Sequence, residues 1–143
     1  MTVERILALA FLLALLRCLA GCASAPKTDY TFAFQGPDSD YETVLAAAAD
    51  WNSCGVVHVT VTRDGEGIPI DVSDTLADAS DEGETSDLSG DPAWIRYRPG
   101  KAFVVKHEMG HAFGLPHYGL GLMHHHILAD NVGPEECRRL GER

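Results

Sequence analysis

The strongest constraint on this chain is the spacing of three histidines, a glutamate and a glycine. His107 and His111 are four residues apart, so on a helix both imidazoles lie on one face and can bind the same metal ion. Glu108 points roughly 100° away from His107 around the helix axis, which keeps it off the metal but within reach of a water bound there. Gly114 tolerates the left-handed backbone that ends a helix, and the resulting turn can bring His117 back to the same ion.

The residues around this group have the periodicity of an amphipathic helix. Apolar side chains recur at i, i+4, i+7 and i+8, which predicts a helix from about residue 101 whose buried face is formed by Val105, Met109, Ala112 and Phe113. A strand is predicted just before it, over residues 93–98, and Pro99-Gly100 ends that strand.

The rest of the chain alternates between strand and helix patterns. Alternating apolar residues predict strands over 30–35, 56–62 and 68–72. A capping box from Ser39 to Glu42 predicts the start of a helix that runs to about Asn52, and Pro134 marks the start of a last short helix. The short link 63–67 suggests a hairpin, and residues 73–92 have no clear strand pattern. Together these elements predict one α+β domain.

The motif itself has a known counterpart. Residues 107–117 read His-Glu-x-x-His-x-x-Gly-x-x-His without interruption, and this pattern resembles that of the metzincin family of zinc peptidases. Gly110 and the pair Leu115-Pro116 are most similar to the matrixin branch. The resemblance implies a small metzincin-like domain, in which a twisted mixed sheet, mostly parallel, packs on an active-site helix and a second long helix. A short C-terminal helix would follow the Met-turn.

The resemblance also implies a role for each motif residue. It implies a Zn²⁺ ion held by His107, His111 and His117, with Glu108 as general base and Met123 in a Met-turn beneath the metal. The implied activity is that of a zinc-dependent endopeptidase, which hydrolyses a bond of an extended peptide or protein substrate with a metal-activated water. The alternative is a non-catalytic lipoprotein in which zinc only stabilises a binding module.

A run of three histidines follows Met123 directly. In the astacin and serralysin branches, a tyrosine two residues after the Met reaches the metal or the transition-state oxyanion, and His125 occupies the matching position. One hypothesis is therefore that His125 replaces that tyrosine, as an extra ligand or a transition-state hydrogen-bond donor. The alternative is that His124, His125 and His126 form a solvated cluster on the rim of the cleft.

The N-terminus resembles the signal of a bacterial lipoprotein. Residues 6–16 are an apolar run of signal-peptide length, and Leu19-Ala20-Gly21-Cys22 resembles a lipobox. We therefore expect a signal peptide over 1–21, a lipid on Cys22, a tether over 22–29 and a metallopeptidase domain over 30–143. The expected location is the surface of a bacterial membrane, periplasmic or exposed on the cell. An ordinary cleaved signal is the alternative.

Two cysteines remain outside the signal and the lipobox. Cys54 and Cys137 form a natural disulfide in an exported chain, because such chains meet an oxidising compartment. Two buried free thiols are the alternative.

Charge limits the possible partners. The net charge of the 143-residue chain is −10, and no basic stripe compensates for it, so nucleic acid is not an expected partner. We expect a monomer that contacts the membrane through its lipid. An acidic stretch over 73–92 is either a surface loop or a calcium loop, and contains Asp74, Asp78, Asp81, Glu82, Glu84, Asp87 and Asp91.

The lipobox gives the first testable prediction. Cys22→Ser should block lipid attachment and leave unprocessed precursor, because the thiol is the lipid acceptor. Metabolic labelling with a fatty acid measures this directly. Unchanged labelling of the Cys22→Ser protein would show that the lipid, if present, is attached elsewhere.

Overall fold

One mixed sheet organises the chain. The computed structural model describes residues 27–78, 80–86 and 94–143. The strands of the sheet are β1 Thr28–Gln35, β2 Val57–Thr62, β3 Ile68–Val72, β4 Gly83–Thr85 and β5 Ile95–Tyr97. They lie in the order β2-β1-β3-β5-β4. All neighbouring pairs are parallel except β4 and β5, which are antiparallel. The sheet and its helices confirm the predicted α+β class.

Three helices complete the described part of the chain: α1 Asp38–Asn52, α2 Ala102–Ala112 and α3 Pro134–Gly141. The predicted apolar face of α2 is buried, with Val105, Met109, Ala112 and Phe113 all at most 4% exposed. The Phe113 ring lies 5.1 Å from that of Trp51 on α1 and 6.0 Å from that of Phe32 on β1. Aromatic packing at the end of α2 therefore joins both long helices to the sheet.

Helix α1 does not begin with the predicted capping box. It begins at Asp38, and Pro37 occupies the N-cap position with φ −62° and ψ 153°. The hydroxyl of Ser39 lies inside the first turn and donates to the Asp40 carboxylate at 3.1 Å, so it caps no backbone N–H. The capping-box prediction was wrong because Pro37, two residues before Ser39, occupies the N-cap position, where its fixed φ suits the entry to a helix.

The predicted hairpin over 63–67 was also wrong. Strands β2 and β3 are not neighbours, because both pair in parallel with β1, which lies between them. Thr62 pairs with Ala33 and Ile68 pairs with Phe32, so β3 starts level with the end of β2. The link therefore has only to cross β1, a distance of about 10 Å, which five residues cover easily. Gly67 allows the link to pass close to the backbone of β1. Its φ is +123°, and a Cβ there would lie 2.4 Å from the carbonyl oxygen of Thr31.

A strand lies within the stretch that showed no strand pattern. β4 forms the edge of the sheet beside β5, and backbone hydrogen bonds from Arg98 to Glu82 (2.8 Å) and from Ser86 to Trp94 (3.0 Å) flank it. Its sequence, Gly-Glu-Thr, has no apolar alternation, so the expectation of no strand was wrong.

Two other boundaries differ from the sequence expectation. β5 is shorter than the predicted strand 93–98, and β1 starts at Thr28, inside the predicted tether 22–29. The predicted signal peptide over 1–21 and the predicted lipidation site Cys22 lie outside the described residues. Within the described ranges, no helix has the length and apolar character needed to cross a membrane.

The two cysteines expected to pair do lie together. Cys54 follows α1 and Cys137 lies in α3, and their Cα atoms are 5.2 Å apart within a disulfide. The pair joins the end of α1 to the C-terminal helix.

Removing this disulfide should lower stability. The bond closes a loop with a sequence separation of 83 residues, for which the chain-entropy model gives about 4–5 kcal/mol. We expect Cys54→Ala/Cys137→Ala to lose about 2–5 kcal/mol of unfolding free energy in urea titrations. Two free thiols by intact-mass analysis of the exported, unreduced wild type would contradict the pairing.

Candidate metal centre

Three histidine side chains converge at the end of α2. The Nε2 atoms of His107 and His111 are 3.0 Å apart, and each lies 3.1 Å from Nε2 of His117. Nitrogens that bind one tetrahedral zinc ion at about 2.0–2.1 Å lie about 3.3 Å from each other, close to this spacing. In the described part of the chain, this is the one group of three or more His, Cys, Asp or Glu side chains that could hold a metal ion.

Two backbone carbonyls orient the ligands. Nδ1 of His107 lies 2.6 Å from the carbonyl oxygen of Leu122, and Nδ1 of His111 lies 2.8 Å from that of Leu115. A carbonyl only accepts, so each Nδ1 carries the hydrogen and each Nε2 presents a lone pair. Lone pairs 3.0 Å apart repel unless a cation or a proton lies between them. The donor set therefore fits a metal ion.

The turn after α2 brings the third histidine into place. Gly114 has φ +86°, and its N–H donates to the carbonyl of His111 at 2.7 Å. The N–H of Leu115 donates to the carbonyl of Gly110 at 2.9 Å, which completes a Schellman motif. The predicted role of Gly114 as the end of the helix is confirmed, and the reversed chain carries His117 back to the other two ligands.

Burial keeps the ligands neutral. It is the largest effect on all three imidazoles, and it lowers the pKa of His107 to about 4 and the pKa values of His111 and His117 below their ordinary range. Neutral imidazole is the form that binds metals, so no proton has to leave these side chains near pH 7.

Glu108 lies beside the ligands but does not join them. Its side chain is buried, and its Oε2 accepts a hydrogen bond of 2.5 Å from the hydroxyl of Thr85. Burial raises the pKa of Glu108 to about 7, the Thr85 bond opposes this rise, and the charges of Asp81 and Glu84 add to it. The contact of Thr85 with Glu108 was not predicted, because the strand of Thr85 has no sequence pattern and the two residues are 23 positions apart.

Met123 packs directly beneath the centre. It is fully buried, its carbonyl accepts from the N–H of Tyr118 at 3.0 Å, and the carbonyl of the preceding Leu122 orients His107. Gly110, on α2, faces Met123, and an added Cβ there would lie 2.3 Å from the Met123 sulfur. A side chain at position 110 would therefore force the Met123 side chain to shift.

The metal-binding group opens into a cleft of about 660 Å³. Residues 80–85, including β4, line one side, and the segment 125–127 lines the other. The ring of His125 lies 5.2 Å from that of His117, between centroids. Ile127, two residues after His125, has φ +39°, the one positive value for a non-glycine residue in the described ranges, and its N–H donates to the carbonyl of His124 at 2.9 Å. His125 therefore lies at the cleft, next to an exposed ligand.

His58 and the acidic stretch both lie outside the three-histidine group. His58 is exposed on β2, where its Nδ1 lies 3.1 Å from an Asp29 carboxylate oxygen. In the acidic stretch, Glu82 pairs with Lys101 at 2.9 Å, and no carboxylates of residues 73–78 and 80–86 converge as a metal-binding group. Asp87 and Asp91 lie outside the described residues.

Comparison with known proteins does not identify the chain, because no family model and no curated protein matches it. The structure shows a three-histidine group that could hold a metal ion. The chemistry available to such an ion depends on the residues around it.

Proposed function

We propose that this chain is a zinc-dependent endopeptidase similar to the metzincins. The observation that carries the proposal is the convergence of three Nε2 atoms beside a buried carboxylate that is not a ligand. Three neutral nitrogen donors suit Zn²⁺, which binds imidazole readily in tetrahedral sites. The mostly parallel sheet and the buried Met123 agree with the resemblance of residues 107–117 to that family.

The ligand count favours catalysis over a purely structural metal. Structural zinc sites are usually closed by four protein ligands, often cysteines, whereas catalytic sites keep three ligands and an open position. Here the third ligand, His117, is exposed, and the group faces a cleft. The rival, a non-catalytic lipoprotein whose zinc stabilises a binding module, does not require a carboxylate such as Glu108 beside the ligands.

The chemistry follows from these residues. A bound zinc ion would supply a Lewis acid and make a water molecule acidic enough to be deprotonated near neutral pH. Glu108 would accept the proton of the attacking water and then deliver it to the leaving nitrogen of the peptide bond. Because Glu108 is not a metal ligand, its carboxylate is free for this proton transfer.

The edge strand β4 suits an extended peptide substrate. The carbonyl of Glu82 and the N–H of Ser86 form hydrogen bonds on the β5 side of the strand. In an antiparallel pair, alternate residues bond to opposite sides, so the backbone groups of Gly83 and Thr85 point to the free edge. An extended peptide could pair with that edge and pass the metal-binding group.

We also propose that the domain is exported and anchored to a bacterial membrane through Cys22, as a monomer. The disulfide between Cys54 and Cys137 is compatible with an oxidising compartment outside the cytoplasm.

The roles of metal and base should separate in two variants. Glu108→Ala should keep about one zinc per chain, because Glu108 is not a ligand, yet lose proteolysis of a peptide library. His111→Ala should lose both zinc and activity. His58→Ala is the matched control, since His58 is exposed and away from the centre. Metal analysis and peptide mass spectrometry on the three proteins test this, and activity retained in Glu108→Ala would exclude the assigned mechanism.

His125 should have its own kinetic signature if it acts on the transition state. We expect His125→Ala to lower kcat at least about tenfold with zinc content unchanged, the scale of a lost transition-state hydrogen bond. His124→Ala should change it little. Equal, small effects of both substitutions would support the solvated rim cluster instead.

A further inference from the structure

Thr85, on strand β4, contacts the carboxylate of Glu108, which lies on helix α2. Its hydroxyl donates to Oε2 of Glu108 at 2.5 Å, and the same hydroxyl lies 3.1 Å from the Glu108 carbonyl oxygen. Glu108 is only 6% exposed, so a protein donor replaces water on that oxygen. A carboxylate has two oxygens, and this bond leaves Oε1 for proton transfer.

Gly83 limits the carboxylate on its other side. A Cβ at Gly83 would lie 2.9 Å from Oε1 and 3.0 Å from Cγ of Glu108, and 2.4 Å from Val104 Cγ1. The backbone of β4 therefore packs directly against the glutamate where no side chain would fit. Together, Gly83 and Thr85 restrict the positions that the Glu108 carboxylate can adopt.

The same two residues form the free edge of the sheet. Because residues 82 and 86 bond toward β5, the backbone groups of Gly83 and Thr85 point away from it. Thr85 thus has its hydroxyl on the carboxylate and its backbone at the edge where an extended peptide would pair. A shift of this strand would move the bond to Glu108 with it.

From this juxtaposition we infer that Thr85 is a positioning residue, which orients the Glu108 carboxylate and connects it to peptide pairing at β4. The inference rests on the proposed function. It concerns the placement of the base, however, and this can be measured without turnover.

The test is a double-mutant cycle on ligand binding. Acetohydroxamic acid binds a metal ion through two oxygens and has an acidic hydrogen that a neighbouring carboxylate can accept. Its affinity for the zinc-loaded mature protein is measured by calorimetry in wild type, Thr85→Val, Glu108→Ala and the double variant. Thr85→Val keeps the shape of the side chain and removes the hydroxyl, and Thr85→Ser keeps the hydroxyl as the matched control.

A positioning role predicts coupling between the two residues. Thr85→Val should weaken acetohydroxamate binding about tenfold when Glu108 is present, the scale of a lost hydrogen bond to a charged group, and should have almost no effect in Glu108→Ala. Thr85→Ser should bind like wild type. In peptide cleavage, Thr85→Val should lower kcat by a similar factor and leave KM nearly unchanged.

Other outcomes would overturn the inference. Equal weakening by Thr85→Val in both backgrounds would mean that Thr85 acts on general stability, and no weakening in either would mean that it does not position the base. If the cycle showed coupling between Thr85 and Glu108 but the wild type cleaved no peptide, the peptidase proposal would be rejected and the positioning role of Thr85 would be retained. If the zinc-loaded wild type did not bind acetohydroxamate, the inference would be rejected, and zinc stoichiometry would show whether the metal centre fails as well.

Discussion

The convergence of the three histidines depends on the backbone reversal at Gly114. The N–H of Leu115 closes the helix on Gly110, while the carbonyl of the same Leu115 fixes the His111 ring. One residue thus ends α2 and orients a ligand. Because Gly114 has φ +86°, a residue with a side chain would be strained there, and a shifted turn would misplace His117. Helix termination and ligand geometry therefore have the same local cause.

A partly buried ion pair and its hydrogen bonds connect α1 and α2 to a later segment of the chain. Lys106 Nζ lies 2.9 Å from Asp50 Oδ2 on α1 and donates to the Asp130 carbonyl at 2.9 Å, with only 12% of its side chain exposed. Asp50 Oδ2 also accepts from the N–H of Val132 at 3.1 Å. These contacts join both long helices to the segment before α3. Removing one partner would leave a poorly solvated charge, so such a pair fixes geometry more surely than it adds stability.

Local patterns predicted what local physics determines. The 3.6-residue period gave the buried face of α2, the His107–His111 spacing gave two ligands on one face, and Gly114 gave the helix end. The errors concern relations between distant segments. The residues Gly83–Thr85 have no strand pattern of their own. They form a strand through pairing with β5 and contact with Glu108, both of which lie further along the chain. The link 63–67 looked like a hairpin because sequence does not reveal that β1 lies between β2 and β3. Thr85 could have been found only after β4 was placed.

The proposed metal ion and the proposed base, Glu108, would depend on each other electrostatically. Burial, together with the charges of Asp81 and Glu84, disfavours the ionised form of Glu108, although a general base has to be ionised before it accepts a proton. A cation held by the three neutral histidines would favour ionisation of a carboxylate so near, and the hydroxyl of Thr85 acts in the same direction. By linkage, an ionised Glu108 would favour the bound cation equally, although it is not a ligand. The acidic surroundings thus have two effects: they oppose the base when it stands alone and they strengthen binding of the cation that restores it.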